Sequence, residues 1–180
     1  MPGPSAPCSG AGHGIAPTPV ILAGSDPATL RAVDRDDGPA LQRFFEQMTP
    51  DDVRKRFFAP LEELPDGHLA RLLDLDPERE LTLVLDRGGE ILAIARIADD
   101  TAVPLRAEFA VTVRSDLQGQ RIGSYMVGRL IDFARAHGVK EIYGDILADN
   151  TAMIAMAQDL GFAVAPLAET AAIVRATRRL

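Results

Sequence analysis

Cysteine, tryptophan and histidine are scarce here: one cysteine, no tryptophan and three histidines stand among 180 residues. A lone Cys8 excludes an internal disulfide and a cysteine-rich metal site, and it suits a reducing cytoplasm. His13, His68 and His137 are scattered with no ligand-like partner beside them, so no metal is expected. Basic charge is in deficit as well. Nineteen Lys and Arg against 26 Asp and Glu give a net charge of -7, which argues against a broad electrostatic footprint on DNA or RNA. Any anion must therefore be held locally. No apolar run approaches the ~20 residues that a membrane-spanning helix needs. The start also lacks a basic stretch leading into an apolar signal core. The expectation is a soluble, cytoplasmic protein with no membrane partner.

What is present fits one globular unit, since 47% of the residues are hydrophobic and domains commonly run ~100–150 residues. Residues 1–28 are rich in Gly, Pro, Ser and Ala, a composition too poor in apolar surface to offset the entropy of ordering, and read as a flexible tail. The folded domain is expected over residues 29–180. Residues 29–33 alternate as a strand, and Asp34 and Asp36 offer caps for a helix through residues 41–48. Thr49 followed by Pro50, Asp51 and Asp52 is a strong helix start, and residues 68–75 carry helical spacing. Residues 79–86 and 91–99 form a hairpin turned by Gly88 and Gly89. A strand over residues 105–114 leads through a polar loop into a helix ending near Gly138. That helix gathers Met126, Val127, Leu130, Ile131 and Ala134 on one face. A strand over residues 139–147, a helix capped by Asn150 and ended by Gly161, and a closing strand over residues 171–180 complete the chain.

The chemistry concentrates between residues 105 and 136, where a strand, a glycine-bearing loop and a helix N-terminus follow one another. Free amides of a first helical turn and the positive end of its dipole make an anion site. Arg114 and Arg121 add charge, while Gly119 and Gly123 allow close backbone approach. The spacing is neither the dinucleotide fingerprint nor a P-loop. Glu108 lies on the strand entering this loop, on one face with Ala110 and Thr112, whereas Phe109, Val111 and Val113 form the apolar face.

The run Gln118-Gly119-Gln120-Arg121-Ile122-Gly123 resembles the pyrophosphate motif of the GNAT superfamily of N-acetyltransferases, with Arg121 standing where the motif has its first glycine. The resemblance extends over residues 29–164, through RFFEQMTPDDVRKRFF, AEFAVTVRSDLQGQRIG and DILADNTAMIAMAQDLGF. It is nearest to the acetyltransferase domain of bacterial Pat-type protein lysine acetyltransferases.

That resemblance implies an α/β fold, a mixed, mainly antiparallel twisted sheet flanked by helices and splayed open to hold acetyl-CoA. The opening is expected where residues 111–114 part from the strand starting at Lys140. It implies that Gln118, Gly119, Gln120, Arg121, Ile122, Gly123 and Ser124 hold the coenzyme A pyrophosphate. Val111 and Val113 would pair with the pantetheine arm, Asn150 would touch the cofactor besides capping its helix, and a backbone N–H near Val111 would face the oxyanion. Glu108 would be the general base that takes the proton from an attacking amine. A tyrosine that serves many members as acid is replaced by Ala157, as in Pat-like domains; Tyr125 and Tyr143 remain as substitutes. The acceptor implied is a protein lysine, with an acyl-CoA synthetase as partner; the synthetase-like or nucleotide-binding regions often fused to such domains do not fit within this length. A small amine acceptor, and a module that senses acyl-CoA without turnover, are the rival readings. The cluster Arg54 to Phe58 could line an acceptor groove, although a helix with one basic and one apolar face accounts for it.

Overall fold

A computed structural model describes residues 15–22, 27–61, 65–168 and 170–180. Its strands are β1 (Thr18–Val20), β2 (Ala28–Ala32), β3 (Glu80–Arg87), β4 (Glu90–Asp99), β5 (Arg106–Val113), β6 (Glu141–Leu147), β7 (Ala163–Leu167) and β8 (Thr170–Arg179). Its helices are α1 (Gly38–Glu46), α2 (Pro50–Phe57), α3 (Asp66–Leu73), α4 (Ile122–Ala136) and α5 (Thr151–Asp159). The strands make one sheet in the order β1-β2-β3-β4-β5-β6-β8-β7. All neighbours are antiparallel except β5 and β6.

The two-residue period of β3 assigns the layers. Leu81, Leu83 and Leu85 join the core beneath α4 and α5, where Met126, Val127 and Leu130 are fully buried. Val84, between them, faces the opposite way, toward Leu41 and Phe44 of α1 and the leucines of α3. Helices thus cover both faces, as expected. The Thr49 side chain accepts from the Asp52 amide at the start of α2, the cap foreseen from sequence.

The parallel pairing of β5 with β6 is short. It joins Arg106 to Glu141, Ala107 to Ile142 and Glu108 to Tyr143, and then stops. From there β5 stays with β4 as far as Val113, and β6 stays with β8 as far as Leu147. The sheet therefore opens from Phe109, earlier than the Val111 expected. The Phe109 ring packs on Phe162, with centroids 5.0 Å apart, and fills the space beside Gly144.

Three further differences from the expectation have physical causes. Residues 18–20 are not tail: they pair with β2, and Leu22 is buried, because an alternating edge strand needs few residues once a neighbour is ordered. The rest of the supposed tail, residues 1–14 and 23–26 with Cys8 and His13, lies outside the described residues apart from a short stretch around β1. Asp34 caps a single 3-10 turn, residues 35–37, before α1 begins at Gly38. The closing strand has a neighbour that sequence reasoning did not include, β7 on its outer side; Pro166 masks β7 in the sequence and is tolerated because β7 is the edge.

Candidate active site

The loop after β5 is built by its own side chains. The Arg114 guanidinium grips Asp116 at 2.6 and 3.0 Å and also bonds Glu90, so it braces the turn and is not free to meet a ligand anion. The Gln118 side-chain amide donates to the Val113 carbonyl at 3.4 Å. Arg121 then takes a left-handed backbone, φ 62°, immediately before α4. This is the position where the motif prefers glycine, and the preference is one of backbone conformation. The first intrahelical bond runs from the Tyr125 amide to the Arg121 carbonyl. The preceding amides, at Ile122, Gly123 and Ser124, therefore point out of the helix end.

A cleft of about 420 Å³ opens along this loop and the free edge of β5. Val111, Val113, Gln118, Gly119 and Arg121 line it, followed by Ile122, Gly123 and Ser124. Asn150 lines the far side, where its side chain caps α5 through the Met153 amide. Gln120, expected at the site with the others, is exposed and stands outside the lining. Gly123 faces Met156 so closely that a Cβ there would lie 3.0 Å from its Sδ. The fit to an acyl-coenzyme A rests on these features: free amides at a helix N-terminus, the exposed Arg121, and a strand edge with no partner beyond Glu108.

The third wall of the cleft is α2 with Phe58 after it, a helix that sequence reasoning treated first as one with a basic and an apolar face. Asp52, Lys55, Arg56 and Phe58 line it. Asp52 accepts from the Ser115 and Thr49 hydroxyls, tying α2 to the loop. Burial pushes the Asp52 carboxyl up, but the hydrogen bonds from Ser115, Gln118 and Thr49 outweigh it and hold the group below its ordinary range. Arg54 reaches across to Asp149 at 2.9 Å, joining α2 to the loop before α5.

A second cavity, about 200 Å³, lies on the α1–α3 side of the sheet. Glu108, Phe109, Ala110 and Thr112 line both cavities, and so does Arg56. Glu108 is exposed and is the last β5 residue paired with β6. Burial draws the Arg56 guanidinium below its ordinary value, the Glu108 charge opposes this, and Arg96 adds to it. The cluster from Arg54 to Phe58 thus supplies cavity walls as well as a helix face. His68 lines the second cavity too, its ring edge-on to Phe57 at 5.2 Å.

Neither tyrosine reaches the cleft. Tyr125 is exposed, and Tyr143 lies between Arg106 and Arg175, whose guanidinium carbons are 4.8 and 4.5 Å from its ring centre. Burial, Glu108 and Asp100 push the Tyr143 hydroxyl up against the pull of the two arginines. Ala157 is fully buried in the core. His137 stacks on Phe133 with its Nδ1 2.9 Å from the Phe133 carbonyl. Among the described residues no group of three or more His, Cys, Asp or Glu could hold a metal ion, and no helix is long and apolar enough to cross a membrane.

The chain is similar to known proteins in sequence and in fold. The model of the Acetyltransferase (GNAT) family matches residues 41–162. An acetyltransferase of Pseudomonas aeruginosa, PA5475, is 28% identical over 137 residues, covering 74% of this chain and 73% of that one. Acetyltransferase Pat of Mycolicibacterium smegmatis is 35% identical over 95 residues, 52% of this chain but only 28% of that longer protein. In structure, the GNAT domain of S. lividans PAT superposes with a TM-score of 0.83 at 26% identity, covering 91% of this chain and 97% of that one.

Proposed function

This chain belongs to the Acetyltransferase (GNAT) family, an acyl-CoA-dependent acyltransferase with acetyl-CoA as co-substrate, and from that premise we propose that it acetylates a protein lysine ε-amine with Glu108 as general base. One observation carries the reading: Glu108 stands where the two cavities meet, at the residue after which the strands part. When bound, the co-substrate supplies the acetyl thioester.

The residues divide the work. The Ile122, Gly123 and Ser124 amides and Arg121 hold phosphate oxygens, and the β5 edge out to Val113 orients the extended arm. Asn150 closes the far side. From the second cavity, Arg56 and Arg96 penalise a charged ammonium, which favours the free amine that attack requires. Glu108 accepts the proton that the amine gives up. No cysteine lines either cavity among the described residues, so the amine attacks directly in a ternary complex. With no tyrosine in the cleft lining, solvent reprotonates the departing thiolate, whose ordinary pKa is about 8.5.

The lysine acceptor, with an acyl-CoA synthetase among the protein targets, follows from the likeness to Pat-type domains. A small amine is the second reading, and the modest size of the second cavity favours it. Acetyl-CoA and the solitary Cys8 both suit the cytoplasm. Mass spectrometry of a lysate incubated with acetyl-CoA, with and without the protein, tests the reading. Lysines acetylated only when the protein is present support it. Acetylated small amines without acetyl-lysine would move the acceptor class, and neither product would leave a module that binds acyl-CoA without turnover.

A further inference from the structure

Among the described residues Arg56 is a cation with no counter-ion in contact, set where the two cavities join. Its neighbours on α2 are paired: Arg54 with Asp51 and Asp149, Lys55 with Asp51. Arg56 makes no hydrogen bond or ion pair with any described residue. Its guanidinium carbon lies 5.1 Å from the Phe57 ring centre, and the side chain is partly buried. A guanidinium presents five donors in a planar fork suited to a carboxylate, and leaving them unmet in a desolvated place is costly.

A second unmet donor belongs to a residue of the same wall. Arg96 comes from β4, opposite Ala110, and gives one terminal nitrogen to Glu80 at 2.9 Å. Its Nε is buried and has no partner. Buried donors are satisfied in the great majority of cases, so this orphan leaves the Arg96 charge incompletely compensated beside the cavity. Arg71, exposed, stands on the wall as well. Setting Arg96 against Glu80 leaves Arg56 and Arg71 facing Glu108, a surplus of one positive charge. Most of the remaining wall is apolar, with Phe44, Phe45, Met48, Leu72 and Ile94, while His68 and Thr112 add polar groups.

We propose that this cavity receives an acceptor bearing a carboxylate near its amine, the carboxylate held by Arg56 with Arg96 beside it and the amine turned to Glu108. The inference rests on the acetyltransferase reading and narrows its acceptor. A polyamine is disfavoured, since it would add cations to a cationic wall. About 200 Å³ is small beside the ~300–1,000 Å³ of drug-sized pockets and suits one side chain or one amino acid. The carboxylate has two sources: the α-carboxylate of a free amino acid with an apolar side chain, or an acidic residue beside the target lysine of a protein.

The test pairs acceptors that differ only in that charge. Leucine is compared with leucinamide, and a lysine peptide with aspartate next to the lysine is compared with its asparagine counterpart. Each is assayed for acetylation and for binding by calorimetry in the presence of coenzyme A. In at least one pair the acid form should be favoured tenfold or more, and the pair that shows it identifies the source. Arg56→Met should collapse that ratio. Arg56→Lys, which keeps the charge but not the fork, should retain part of it and serves if the methionine variant does not fold. Equal treatment of acid and neutral forms by the wild-type protein in both pairs, or a ratio that survives both variants, overturns the proposal. Amines acetylated without acid preference would sink the proposal and keep the transferase reading. Arg56-dependent binding of acids without any acetyl transfer would do the reverse.

Discussion

Phe109 occupies the space that a side chain on Gly144 would need: a Cβ there would lie 2.9 Å from the Phe109 Cε1 and 3.0 Å from its carbonyl oxygen. The pair sits one step beyond the last β5–β6 register, so the close approach of the two strands at the start of the opening depends on the missing Cβ. Gly144→Ala should cost about 1–3 kcal/mol, the range for overpacking a tight site. At roughly 2–4 °C per kcal/mol for a chain of this size, calorimetry should show a lowered Tm. An unchanged Tm would mean that Phe109 yields to the added methyl without cost.

Arg121 joins two opposed effects at one position. Its left-handed backbone costs about 1–2 kcal/mol for a non-glycine residue, while its exposed side chain stands at the N-terminus of α4 beside the cleft. Arg121→Gly relieves the first but adds ~0.5–1 kcal/mol of backbone entropy, so stability should stay within about 1 kcal/mol of wild type. Affinity for coenzyme A should fall several-fold, by ~1 kcal/mol, and the difference should shrink as salt rises. Titration at two ionic strengths checks both. Unchanged affinity would remove Arg121 from the site.

Asp37 and Arg31 make the helical layer over β2 and β3 sensitive to acid. The Asp37 carboxylate receives both Arg31 terminal nitrogens at 2.7 and 2.8 Å and the Asp34 amide at 2.7 Å. Burial pushes this carboxyl up, yet the Arg31 and Asp34 hydrogen bonds prevail and hold it below its ordinary value. A depressed folded-state pKa contributes stability above the unfolded value of about 3.9, and that contribution disappears as pH falls through the folded value. Asp37→Asn should cost about 1–2 kcal/mol near neutral pH. Denaturant titrations should show wild type and variant converging below about pH 4, and a gap that stays constant into acid would contradict the linkage.

Much of the cleft was legible because one wall lies in one continuous stretch: residues 111–124 carry strand, loop and helix start in order, and all of them except Arg114, Ser115, Asp116 and Gln120 line it. Periodicity likewise located α4, the hairpin of β3 and β4, and the Thr49 cap. The wall supplied by α2 was hidden because it arrives through contacts distant in sequence, Asp52 with Ser115 and Arg54 with Asp149. No local pattern encodes them. Arg114 shows the converse error. Its charge suggested an anion ligand, but Asp116 two residues on and Glu90 on the neighbouring strand consume its donors.

Glu108→Gln is the substitution on which the mechanism turns, since it keeps the side-chain shape and removes the basicity. We expect acetyl-CoA affinity to be retained and turnover to fall by ~10²–10⁴. With one acceptor used throughout, the wild-type rate should rise with pH through an apparent pKa, and that limb should flatten in the variant if Glu108 is its source. Turnover near the wild-type rate across the whole pH range would contradict the account and leave Glu108 an ordinary strand acid beside the cleft.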